Sequence, residues 1–156
     1  MHLRAYDPAD ALATLAVFRR AVRVTAAEHY DAEQIAAWSS DDIDPAAWAV
    51  RRAGAGTVVA VDDAGSGILG FSDVDGRGYI DMLFVDPSAG RQGVATALLG
   101  AVTARARQAG ASDLCTHASL SARPFFERHG FSVVEEGRPV VRGVVLRNFV
   151  MRRSLA

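Results

Sequence analysis

Apolar residues recur at helical spacing through the first third of the chain, where Ala11, Leu15, Phe18 and Val22 fall on one face behind Asp7 or Asp10 as a cap. Asp31, with Gln34 three positions on, resembles a capping box ahead of a second short helix carrying Ile35 and Trp38. A short strand over residues 2–6 precedes these helices, and a less regular segment with Trp48 follows them. From residue 57 the period changes from helical to alternating. Residues 57–61 and 68–74, separated by the turn-rich DDAGSG, read as a hairpin, and residues 79–85 follow the DGRG turn as the third strand of an antiparallel meander. In that strand Ile80, Met82 and Phe84 share one face, while Tyr79, Asp81, Leu83 and Val85 share the other. It is therefore expected to be central and covered on both faces, an unusual place for the carboxylate of Asp81.

Val94, Leu98, Val102 and Ala106 then form the buried stripe of a longer helix that Gly110 ends in a left-handed turn. Residues 114–118 suit a strand, 122–129 a short helix closed by Gly130, and 132–135 with 144–151 a final pair of strands. The order is strand, two helices, three strands, helix, strand, helix, two strands, which makes an α/β domain.

Composition narrows the class. The chain has 156 residues, half of them hydrophobic, with 17 basic against 18 acidic side chains. That describes an ordinary single globular domain with no net field to attract a polyanion, so nucleic acid is a poor partner. One cysteine, Cys115, excludes an internal disulfide and sits mid-strand as a core thiol. Four histidines without a helical pair or carboxylate cluster give no metal site. No leader or membrane-spanning run is visible, and the expected location is the cytoplasm.

The most informative stretch is VDPSAGRQGVATALL, residues 85–99, in which a strand end passes through a glycine-containing turn into a helix that begins with small residues. Main-chain N–H groups at a helix start have no intrahelical partner and lie at the positive end of the helix dipole, so such a turn can cradle phosphate. Gly93 and Ala95 keep side chains clear of the approach.

Three segments together resemble the GNAT superfamily of N-acetyltransferases, which use acetyl-CoA. They are GRQGVA at residues 90–95, the entering strand LFVDP at 83–87, and ASLSARPFFERHGF at 118–131. HYDAEQIAAW, YIDMLFVDP and RGVVLRNFVM are similar to a bacterial subgroup of that family, of the YafP type. The resemblance covers essentially the whole chain. It implies one α/β (α+β) domain over residues 1–156, with a mixed, mostly antiparallel central sheet of about seven strands flanked by about four helices.

The resemblance also implies how the chemistry is shared out. Main-chain groups around Arg91, Gln92, Gly93, Val94, Ala95 and Thr96 would hold the pyrophosphate of acetyl-CoA, while Leu83, Phe84 and Val85 would pair with its pantetheine arm like an added strand. A main-chain N–H near Leu83 or Phe84 would face the thioester oxygen. Asp81 is the first candidate for general base, with burial expected to raise its pKa, and His117 is the second. Ser119 stands where the family has Asn and would bond the pantetheine arm or cap the helix after it. Phe126 stands where many members carry a proton-donating Tyr, which leaves Tyr79, Tyr30, Ser121 or water to serve the leaving thiolate. His29, Tyr30 and Trp38 fall in the helical region that lines the acceptor pocket in family members.

Two functions are open at this level. The leading one is transfer of acetyl from acetyl-CoA to a primary amine of a small molecule or peptide by direct attack on the thioester, without metal, membrane or nucleic acid, and with room for a homodimer. The other is a CoA-binding sensor or regulatory module that kept the cradle and lost the chemistry, for which Phe126 is the supporting feature.

Overall fold

Local signals in the sequence set most of the elements seen in the computed structural model, which describes residues 1–65 and 67–156. Strand β1 (His2–Ala5) leads into a single tight turn, Pro8–Asp10, that both candidate caps build. The Asp7 carboxylate accepts from the Ala9 N–H, and that of Asp10 accepts from the Asp7 N–H and from Arg4. Helix α1 (Ala11–Arg20) follows and loosens into a π-helical segment over Ala21–Thr25. The Asp31–Gln34 capping box is present at the start of α2 (Ala32–Trp38). The segment holding Trp48 is helix α3 (Pro45–Gly54), with Asp44 accepting from the Ala46 and Ala47 N–H groups and Pro45 in the first turn, where its missing N–H costs nothing.

Strands β2 (Val58–Val61) and β3 (Ile68–Ser72) pair antiparallel as expected. Ser66, in the DDAGSG turn, lies outside the described residues. The expected single strand over residues 79–85 is instead two strands. Strand β4 (Tyr79–Ile80) pairs parallel with β6 (Asp113–Ser119), whereas β5 (Leu83–Val85) pairs antiparallel with β3. The break at Asp81 and Met82 divides the expected continuous sheet into two of four strands, β1-β2-β3-β5 and β4-β6-β10-β7, with β7 at Ser132–Gly137 and β10 at Asn148–Ser154. The expected last strand is divided too, because Val144–Val145 (β9) folds back on Val140–Val141 (β8) as a separate small hairpin. Most pairings are antiparallel, and the helices are α1 to α3, α4 (Val94–Gln108) and α5 (Arg123–Arg128) among the described residues.

Helices α1 and α3 cover the first sheet through Leu15, Phe18, Trp48, Val59 and Phe71. Helix α4 spans both sheets, with Leu98 packed on Val58 and Ala60 and with Leu99 and Val102 packed on Ile80 and Leu114. Gly70 permits this packing, since a Cβ there would lie 2.8 Å from the Phe84 carbonyl oxygen and 3.1 Å from Leu98 Cδ1.

Candidate active site

The division of residues 79–85 between two sheets opens a wedge between β5 and the end of β6, and its cause is a buried ion pair. Asp73 follows β3 directly, and its Oδ1 accepts from the N–H groups of Asp81 at 3.0 Å and Met82 at 3.2 Å. Its Oδ2 accepts from Arg52 Nη1 at 2.7 Å, both side chains being almost wholly buried. Two N–H groups that could have extended the pairing with β6 are thereby turned onto a carboxylate. Burial pushes the Asp73 carboxyl above the usual carboxylate range, against the pull of the Met82 N–H and Arg52.

Beyond the break the free edges face each other. Asp73 donates its N–H to the Met82 carbonyl and Asp86 donates to that of Leu69, so in an antiparallel ladder Met82, Phe84 and Asp86 bond toward β3. The main-chain groups of Leu83 and Val85 consequently point away from β3, into the wedge. Of the two expected N–H groups, that of Leu83 faces the wedge and that of Phe84 faces β3. Across the gap, β4 pairs with β6 only at Cys115 and Thr116, which leaves the edge from His117 to Ser119 open on that side.

A cleft of about 300 Å³ occupies this wedge, bounded by Leu83, Phe84 and Val85 on one side and Thr116 to Ser119 on the other. Phe126 and Ser121 close its back, and Gly90 and Ala95 lie at its end. There Asp86 accepts from the Ser88 N–H and from Arg20 Nε at 2.8 Å, fixing the turn Pro87–Ala89 against α1. Burial alone would lift the Asp86 carboxyl, but Ser88 and Arg20 outweigh it and hold it below the ordinary range. Arg91 at φ 61° and Gly93 at φ 79° turn the chain into α4. Gly93 is the N-cap and offers no side chain, so the N–H groups of Val94, Ala95 and Thr96 are left open to a ligand. Val94 itself is buried, while Arg91, Gln92 and Gly93 are exposed around the loop.

A second cavity of about 550 Å³ adjoins the first, and Trp38, Asp81, Phe84, His117 and Ser119 line both. Tyr30 and Tyr79 belong to its wall. His29 is exposed and lines neither cavity, so it is not brought to the site. The expected burial of Asp81 is corrected: its side chain is 47% exposed, with Oδ2 3.9 Å from Arg52 Nη2, because the break turns it out of the sheet. His117 is exposed at the same junction, its ring 5.5 Å from that of Tyr79 and nearly perpendicular to it. Burial raises the Tyr79 phenol, and the Asp81 charge adds to the rise.

The hydroxyls differ in their freedom. Tyr30 donates to the Arg147 carbonyl and accepts from the Leu120 N–H at 3.1 Å, a structural bridge that occupies it. Ser119 Oγ accepts from the Ala122 N–H at 3.1 Å and caps the turn into α5 while still lining the cleft. Ser121 Oγ is buried in the cleft wall and has no hydrogen-bond partner among the described residues. Asp73 and Arg52 are the residues that sequence reasoning missed. Asp73 carried the same signal as Asp81, an acid inside an apolar strand pattern.

Among the described residues no helix is long and apolar enough to cross a membrane. Residues 26–153 match the Acetyltransferase (GNAT) domain. The chain is 41% identical over 153 residues, 97% of its length and 95% of the relative's, to the Escherichia coli (strain K12) protein described as uncharacterized N-acetyltransferase YafP. A GCN5-related N-acetyltransferase structure from Rhodopseudomonas palustris superposes with a TM-score of 0.94 at 34% identity, covering 99% of this chain and 95% of that one. A phosphinothricin acetyltransferase from Sinorhizobium meliloti, solved in complex with AcCoA, shares the fold with a TM-score of 0.76 at 20% identity, over 99% of this chain and 88% of that one. The chain belongs to the GNAT family and is an N-acetyltransferase of the YafP-like kind.

Proposed function

We propose that the protein moves an acetyl group from acetyl-CoA to a primary amine of a small molecule or peptide by direct attack on the thioester. The observation that carries this reading is the junction of the two cavities, where the carboxylate of Asp81 and the ring of His117 meet a strand edge with unpaired main-chain groups. The residues present fit acetyl-CoA. The edges at Leu83 to Val85 and His117 to Ser119 offer main-chain partners to the amides of a pantetheine arm, and the uncapped start of α4 offers N–H groups to its phosphates. A buried hydroxyl without a partner, that of Ser121, is costly in an empty cleft and is satisfied by a polar ligand. Bound acetyl-CoA supplies the activated acyl group.

The side chains then divide the work. The Asp81 carboxylate, directly or through water, takes a proton from the amine in the neighbouring cavity, with His117 beside it as the second base. The N–H of Leu83 is the donor for the carbonyl oxygen as negative charge gathers there. Phe126 is 3% exposed and has no proton to give, so the departing sulfur must be served by another group. Thiols ionise near pH 8.5, and a hydrogen bond from Ser121 with a proton from solvent suffices for such a leaving group.

The test is release of free thiol from acetyl-CoA in the presence of amines. Replacing Asp81 with Asn is expected to lower kcat by about 10² to 10⁴ with the KM for acetyl-CoA little changed. Full activity of Asp81→Asn at every pH would remove Asp81 from the mechanism.

A further inference from the structure

The wall of the second cavity names the kind of amine it takes, an inference that rests on the acyl-transfer reading above. Helix α3 presents Asp44, Ala47, Trp48 and Arg51 to this cavity, the spacing that puts residues on one helical face. Trp38 and Phe84, half-buried and 6.2 Å apart between ring centroids, add an aromatic wall backed by Phe18, which packs on Trp48 at 5.3 Å and on Phe84 at 5.0 Å. Such a surface accepts an apolar body.

The charges in the wall are unequally satisfied. Arg147 is paired with Glu136, Arg142 donates to the Ala37 carbonyl at 2.7 Å, and the Asp44 carboxylate caps α3. The exposed side chain of Arg51 has no hydrogen bond or ion pair among the described residues. The free guanidinium of Arg51 thus lines the same cavity as the carboxylate that receives the reacting amine. Asp44 lies seven residues before Arg51, about 10 Å away along the helix axis.

We infer that the acceptor is an amino acid with a large apolar side chain. Its carboxylate pairs with Arg51, its amine faces Asp81, and its side chain lies on Trp38 and Phe84. A compound that carries both an amine and a carboxylate matches a cavity whose wall holds both an unpaired arginine and the general base, and the acids Asp42 and Asp44 in the same wall repel acidic side chains. In the reaction the amino acid's ammonium gives up two protons, the N–C bond forms and the C–S bond breaks. One proton finishes on the thiol and one in solvent, and the product is an N-acetyl amino acid that keeps its carboxylate.

Both tryptophans of the chain, Trp38 and Trp48, line this cavity, so intrinsic fluorescence reports its occupancy without turnover. Titration of the CoA-saturated protein, which has no acetyl group to transfer, with L-phenylalanine is expected to quench this signal at a concentration about tenfold lower than phenethylamine or L-glutamate requires, a factor worth about 1.4 kcal/mol. Arg51→Gln, at an exposed position, is expected to abolish the advantage over phenethylamine while leaving acetyl-CoA binding unchanged. Phenethylamine binding and being acetylated as well as phenylalanine would overturn the amino-acid assignment and leave acetyl transfer standing. The same holds for a preference that survives Arg51→Gln. Absence of thiol release with every amine, despite bound acetyl-CoA, would overturn the acyl-transfer reading beneath it.

Discussion

Asp73 and Arg52 hold the site in shape without lining either cavity, and the chemistry of burial explains why they must act as a pair. Taking a guanidinium and a carboxylate out of water is repaid only when each satisfies the other, and removing one leaves an uncompensated charge. Arg52→Met keeps the bulk that stacks on Trp48, yet it is expected to lower stability by about 3–5 kcal/mol in urea unfolding. Replacing Asp73 by Asn in the same chain should return part of that loss, and an Arg52→Met loss below about 1 kcal/mol would mean that the pair is not what holds the break. At this scale the sequence was ambiguous. Asp73 and Asp81 both interrupt apolar strand patterns, and only Asp81 was singled out as a buried acid. The break at Asp81 and Met82 shifts the facing by one position, which exposes Asp81 and leaves Asp73 buried.

Among the elements, those set by local signals were legible and those set by pairing were not. The capping box at Asp31, the stripe of α4 and the turn at Gly110 all rest on residues close in sequence and occur as read, whereas Asp7 caps the turn Pro8–Asp10 ahead of α1 and Asp10 makes no cap bond to α1 itself. The division of residues 79–85 into β4 and β5 depends on partners from residues 70 to 119, and no local pattern announces it. The loop before α4 lies between these cases. Its phosphate-cradle pattern was readable, but the left-handed backbone of Arg91 within it, at φ 61°, was not. A left-handed conformation costs a side chain about 1–2 kcal/mol, part of which glycine returns as lost chain entropy. Arg91→Gly is therefore expected to raise stability by up to about 1 kcal/mol in thermal unfolding. A clear loss of stability would show that the Arg91 side chain contributes more than its strained backbone removes.

At the scale of the whole molecule, function depends on two cavities meeting across a gap between two sheets. The second cavity draws its wall from α1, α2, α3, β4 and the region around β8 to β10, elements scattered over the chain. Tyr30 and Trp38 were legible there because the early helical segment matches a family feature. Arg51 and Trp48 were not, since no pattern within α3 says which face meets a ligand. The cleft was far more legible, because much of its lining comes from two short stretches that the sequence patterns marked, residues 83–87 and 116–126. The proposed reaction requires that cleft to take acetyl-CoA between β5 and β6, and calorimetric titration of the unmodified protein is the decisive measurement. Saturable binding of one acetyl-CoA per chain is expected, with thermal unfolding delayed in step, by about 2.7 kcal/mol of added stability at one hundred times the Kd. No heat of binding and no shift in unfolding at millimolar acetyl-CoA would contradict it.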